Sequence, residues 1–186
     1  GCSPVAVESR VYYIARAALE CDHIINLPRL RYNQWHHFCG GIRNMLGVLP
    51  GFQKVQLYKQ ARIPREIARV IIDAFSVSSP SLTVLDALER PNQRSASTGD
   101  LGYVLASADA VALDAVVADA LGLDIDSMDI ISLARDAGLG IGWLEGIEVV
   151  GDPVQRAPYL VHERGVKYPT GRLPLAAFAA LSPLVW

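Results

Sequence analysis

The chain lacks most of the features that make a function plain at first reading. No apolar run approaches the ~20 residues needed to cross a bilayer. The formal net charge is only −2, which leaves no global electrostatic case for nucleic acid or for an acidic membrane surface as a partner. Cysteine is scarce: Cys2, Cys21 and Cys39 are widely separated and no Cys-x-x-Cys occurs. A zinc ribbon, a thioredoxin motif and a ferredoxin-type cluster within the chain are thereby excluded, and no cofactor is expected in it. The odd count suits a reducing, cytoplasmic setting. The competing expectation is an exported lipoprotein, with Gly1-Cys2-Ser3 as a processing remnant and Cys2 as the acylated residue. There is no repeat and no low-complexity tract. LGIGWLEG has no Gly-Lys-Ser/Thr ending, and a helix precedes it where a Rossmann turn needs a strand, so it reads as a glycine-rich turn.

What is present is ample apolar material. Of 186 residues, 51% are hydrophobic, enough to bury a sizeable core in one domain spanning 1–186. Residues 8–20 place Val11, Ile14, Ala15 and Ala18 on one helical stripe. DHIINLP reads as a buried strand ended by Pro28. A helix opened by Asn33 or Gln34 is expected to run to Gly47, and VLPGF is a turn. Pro64 suits the first position of a helix whose core face is Ile67, Val70, Ile71 and Ala74. SLTVLDAL and LGYVLAS read as strands joined by the polar loop ERPNQRSASTGD. Asp109 caps a helix closed by Gly122, and DSMDIISLARDAG is a further helix before a strand IEVVG. From residue 153 an irregular tail follows, apart from a short helix near LPLAAFAAL. Alternation of strands and helices predicts an α/β fold: a three-layer, mostly parallel sheet flanked by helices. Ligands in such sheets bind off the carboxyl ends of strands, where Pro28–Asn33, Asp86–Arg90 and Ser107–Asp109 would lie.

Basic residues gather from Arg29 to Arg65 and acids from Asp109 to Asp136. Asn26 and the period-two pair Arg29 and Arg31 stand at the strand end. On the expected helix, His36, Gly40, Arg43 and Asn44 share one face. Guanidinium groups, carboxamides and a helix N-terminus are donor types that hold phosphate or carboxylate; tight helix-on-sheet packing with solvated arginines is the structural alternative. Gly40-Gly41 costs a helix ~1 kcal/mol per glycine and marks a close backbone approach. His36, His37 and Cys39 are candidate metal ligands, and Cys39 with His36 a candidate catalytic pair, although a surface His-His pair beside a half-buried Cys is the commoner outcome. Asp114 shares a face with Val111, Val117 and Leu121, so it needs a cation or several donors; Arg31 or Arg43 is the expected partner. Asp109 reads as an N-cap, and Asp86 ends a strand on the presumed ligand side.

INLPRLRYNQWHHFCGGIRNMLGVLPG resembles the family catalogued as domain of unknown function 362, whose members read Asn-Leu-Pro-Lys-Leu-Lys-x-His, then a Thr-Gly-rich stretch, then Lys-Asn-x-x-Gly. LASADAVALDAVVADALG is similar to its Asp-Pro-Val-Ala-Leu-Asp-Ala block, and GLGIGWLEGIEVVG to its Gly-Leu-Gly…Ile-x-x-Val-Gly block. Asn26, Pro28, Asn44, Gly47, Asp109 and Asp114 stand as in that pattern. Arg29, Arg31 and Arg43 replace lysines, which keeps the charge but removes a deprotonatable amine. Asn33 replaces a histidine, Cys39 a threonine and Ala110 a proline. The resemblance implies an upstream segment absent here, so that the chain is a fragment, and a redox setting beside ferredoxin-type iron–sulfur modules.

Three functional expectations follow. The first is a domain holding a small anion between Arg29–Asn44 and the Asp109–Asp114 helix, with Asn33 and His36 among its ligand groups and an iron–sulfur protein as partner. The second is a metal-dependent enzyme using His36, His37 and Cys39. The third is a non-catalytic interaction module, a homo-oligomer docked through Phe178, Leu184 and Trp186.

Overall fold

A computed structural model of the chain describes residues 1–33, 35–89, 100–154 and 156. Its strands form three small sheets. Strands β1 (Cys2–Val7) and β2 (Arg10–Ala15) make an antiparallel hairpin. Strands β3 (Ile25–Asn26), β6 (Leu82–Glu89) and β7 (Asp100–Ser107) make a mixed sheet in the order β3-β6-β7. Strands β4 (Arg31–Asn33) and β5 (His37–Cys39) make a second hairpin. The helices are α1 (Arg16–Glu20), α2 (Gly41–Asn44), α3 (Gly51–Gln60), α4 (Pro64–Val77), α5 (Ala110–Ala120) and α6 (Asp129–Asp136), with 3-10 turns at Met45–Val48, Ile125–Ser127 and Leu144–Gly146.

The expected three-layer, mostly parallel sheet is therefore wrong. Among the described residues only β3 and β6 run parallel, and β6 and β7 are antiparallel. Connection length supplies the reason: a parallel crossover needs a dozen or more residues, usually a helix, and only residues 90–99 separate β6 from β7. The segment between β3 and β6 does carry helices, and there the pairing is parallel. IEVVG forms no strand; Val150 is 81% exposed. A further consequence concerns the sheet ends. Ser107 pairs with Thr83, at the start of β6, whereas Arg29 bridges Asp86 towards its other end, so the segments expected to share a ligand edge do not.

Two expected helices are also corrected. Residues 10–15 form a strand in which Tyr12 and Ile14 are fully buried while Val11 and Tyr13 face out. The run Val-Tyr-Tyr-Ile is β-branched and aromatic, which favours a pleated surface, and helix survives only over Arg16–Glu20. The expected helix from Asn33 to Gly47 is instead a hairpin, a four-residue helix and a 3-10 turn. Asn33 accounts for the difference: its Oδ1 accepts from the backbone N–H of Trp35 and of His36, each at 3.0 Å. Such local bonds offer the chain an alternative to helix.

The turn expected at VLPGF gives way to α3 from Gly51, while the patterning of α4 and α5 holds. Pro64 opens α4 and Ile67, Val70, Ile71 and Ala74 are buried. Asp109 caps α5 with bonds of 2.8 and 2.9 Å to Val111 and Ala112 N–H, and Gly122 follows at φ +70°. Helix α5 lies against β6 and β7, and α2 is wedged among α4, α5 and β6. Most of the loop ERPNQRSASTGD, the C-terminal helix and the docking residues Phe178, Leu184 and Trp186 lie outside the described residues.

The free edge of β2 is completed by a side chain. Gln53 of α3 is buried, accepts from Tyr13 N–H at 2.8 Å through Oε1 and donates from Nε2 to the Val11 carbonyl at 3.1 Å. Gln53→Leu strands both backbone groups and should cost about 1–3 kcal/mol each in proportion to their burial. Urea unfolding is the check; a loss below ~0.5 kcal/mol would show that water replaces the carboxamide.

Candidate functional site

The centre of the molecule is a buried polar knot between β3, α2 and α5. Asp114 is 2% exposed, and its carboxylate caps α2: Oδ1 accepts from Gly41 N–H at 2.6 Å and Oδ2 from Ile42 N–H at 3.0 Å. Its partners are thus two amides of a helix start and not the expected arginine. Asn26, also buried, donates from Nδ2 to the Gly41 carbonyl at 2.9 Å and accepts from Asn44 Nδ2 at 2.7 Å. Gly40 is required by this contact. A Cβ on Gly40 would sit 2.7 Å from the Asp114 carboxyl carbon and 2.8 Å from Phe38 Cε2. Burial pushes the Asp114 carboxyl up to about 7, against the pull of the two amide donors.

Beside the knot, the β4–β5 hairpin and α2 carry the basic side chains. Arg31 lies opposite Cys39 across the hairpin, and Arg43 follows in α2. Both guanidinium charges act on the Cys39 thiol, pulling it down while burial, the larger influence, pushes it up. Arg43 Nη2 donates to Tyr58 OH at 3.1 Å, and its buried Nε has no partner among the described residues. Neither Arg31 nor Arg43 meets a carboxylate there. Burial also lifts the Tyr58 phenol, with Arg43 opposing. His36 is held neutral, its pKa pushed down to about 3 by burial, then by Arg43 and His37. Burial lowers His37 as well, and that residue adopts φ +65°, unusual for a side chain that is not glycine.

The site residues expected from sequence are thus divided. Arg31 and Arg43 both act on Cys39, and Arg43 also acts on the buried His36. Asn26, Asn44 and Asp114 form the knot behind them. Asn33 is spent on the hairpin turn. Arg29 lies on the strand side, 3.8 Å from Asp86, and both are half-exposed. Asp109 is a cap that also accepts from Ile141 N–H at 2.8 Å, tying the glycine-rich turn to α5. Gly140 allows this: a Cβ there would lie 2.7 Å from Val111 Cβ. Tyr58 was not anticipated, because α3 was read only as the turn that precedes it. For the metal expectation, His36 and Cys39 do not share a helix, and among the described residues no group of three or more His, Cys, Asp or Glu is placed to hold an ion. A Cys39–His36 nucleophile is disfavoured too, since the thiol is raised and the imidazole is a weak base.

Comparison with known proteins agrees with the resemblance seen in the sequence. Residues 3–119 match the family described as Domain of unknown function (DUF362), and the chain belongs to that family. It is also similar to a thylakoid-associated protein of Synechocystis sp., 26% identical over 132 residues, 69% of this chain. The chain spans 40% of the length of that relative. No solved structure matches it. Among the described residues no helix is long and apolar enough to cross a membrane.

The knot makes two predictions. Gly40→Ala should destabilise by several kcal/mol, on the order of 3 or more, as measured by chemical denaturation; a change under 1 kcal/mol would mean that Asp114 can withdraw without cost. The second concerns pH. Between the ordinary value of 3.8 and about 7 the native state keeps on Asp114 a proton that the unfolded chain has released. Unfolding free energy therefore falls as pH rises through that window, at up to about 1.4 kcal/mol per pH unit from this group. Asp114→Asn should lack that component of the slope. An identical pH profile in the variant would count against it.

Proposed function

We propose that the chain binds a small anion, phosphate or carboxylate in character, at Arg31 and Arg43 beside Cys39. The observation that carries this reading is the state of Arg43. Its guanidinium is half-buried, rests on the neutral Tyr58 hydroxyl, keeps an unpartnered Nε and has no carboxylate partner among the described residues. A charge withdrawn from water without a counter-ion is costly, and a ligand anion supplies the missing charge. Arg31 adds a second guanidinium, the planar donor suited to oxyanions. His36, neutral and buried, adds no positive charge at ordinary pH.

The family resemblance supports placing this binding step beside an iron–sulfur partner that carries the redox chemistry. The three free thiols suit a reducing, cytoplasmic compartment; a thylakoid-associated relative suggests that the protein works next to a membrane without crossing it.

Thermal unfolding in phosphate, sulfate and citrate tests the reading. A ligand at 100 times its Kd adds about 2.7 kcal/mol, which for a chain of this size raises Tm by more than about 5 °C. Arg43→Met should abolish the rise and Arg31→Met should reduce it, with Asp86→Asn as an unaffected control. Equal rises in wild type and Arg43→Met would contradict the assignment, as would no rise with any of the three anions.

A further inference from the structure

We propose that the outward face of the β3-β6-β7 sheet is the interface of a two-fold homodimer. Strand register lays this face out. Ile25 stands beside Leu82, Val84 lies opposite Ala106, and Asp86 sits between Arg29 and Val104. Thr83, Leu85 and Ala87 alternate with these positions along β6 and are buried on the side of α2 and α5.

An antiparallel sheet with one face in water alternates apolar-in with polar-out. This sheet does not. Ile25 is 63% exposed, Leu27 69%, Leu82 37% and Val104 60%, and the charged groups in the array are Arg29 and Asp86. Apolar residues on both faces are the composition of a sheet covered on both sides. Helices cover the inner face here, and the outer one stands open among the described residues.

Area and charge point to a second copy as the cover. The open side chains present on the order of 500 Å² of apolar surface, the upper range for a patch left bare on a monomer. Two such faces together withdraw about 1,000 Å² from water, the lower bound for a specific interface, before any rim is counted. The two charges are of opposite sign: Arg29 Nε lies 3.8 Å from Asp86 Oδ2, and both side chains are half-exposed. A two-fold axis normal to the sheet sets Arg29 of one copy against the partner's Asp86, and the reverse, so the face complements itself. Sheets stacked in this way form an aligned sandwich about 10 Å deep. A strongly acidic or basic partner would meet a face without net charge to attract it.

The test is sedimentation equilibrium of the full chain over a dilution series. Wild type should form a reversible dimer. Leu27→Lys and Val104→Lys should each raise the dissociation constant about 100-fold or more, because a charge is then buried against an apolar face. Both positions point outward and are more than half exposed, so each monomer should keep its fold and its melting temperature. Arg29→Glu and Asp86→Arg should each self-associate weakly and dimerise with one another when mixed. A wild-type chain that stays monomeric at every concentration would overturn the proposal; if the two lysine variants then lose stability, the face belongs to the chain's own C-terminal residues. A dimer indifferent to both lysines would overturn it too, by placing the interface elsewhere. Failure of the two charge variants to recombine would overturn the pairing of Arg29 with Asp86 across the axis.

Discussion

The carboxylate of Asp114 resting on the amides of Gly41 and Ile42 is the contact on which the centre of this molecule depends. A four-residue helix has no stability of its own, because nucleation costs more than its few hydrogen bonds return. Here the start of α2 is held from outside by α5, and its first carbonyl is held from the other side by Asn26 of β3. One buried carboxylate thereby joins the mixed sheet, the β4–β5 hairpin and α5. Gly40 is what lets it approach. Burial disfavours the charged carboxylate while the two amides favour it, so the knot sits close to its own titration point.

This knot also decides which basic groups remain for a ligand. Asn26 bonds Asn44 and the Gly41 carbonyl while Asp114 bonds the Gly41 and Ile42 amides, so these polar groups are spent on holding α2. With α2 fixed, Arg43 lies against Tyr58 on α3, and Arg31 reaches the same thiol from across the hairpin. The three arginines at positions where the resemblance implies lysine are placed differently. Arg29 is placed beside Asp86, whereas Arg31 and Arg43 keep their charge uncompensated among the described residues. Desolvation of an unpaired guanidinium is the physical basis for expecting an anion there.

Much of this was legible in the residues. Helix α4, the strands β6 and β7, the cap at Asp109 and the burial of Asp114 follow from periodicity and capping chemistry, and the family from ordered motifs. The sheet topology was not legible, because alternation of strands and helices was allowed to outweigh the short link between β6 and β7. The helix expected over 33–47 was lost to a bond of Asn33 with its own downstream backbone, a choice that periodicity does not report. The same error placed His36 and Arg43 on one helix face; the structure brings them together through a hairpin. Tyr58 stayed hidden because α3 was not expected. The partner of Asp114 was sought among cations when Gly40-Gly41 already marked a backbone approach, and glycines beside an expected buried acid are the signal that could have found it.

The most direct measurement is an amide NMR pH titration of the wild-type chain and of Asp114→Asn. If Asp114 organises the site, Gly41 and Ile42 N–H should resonate far downfield, move together with one midpoint near 7, and carry the Arg43 side-chain signal with them, all of which the variant lacks. Gly41 and Ile42 amides that keep their positions in the variant, or titrate at the ordinary carboxylate value, would contradict it.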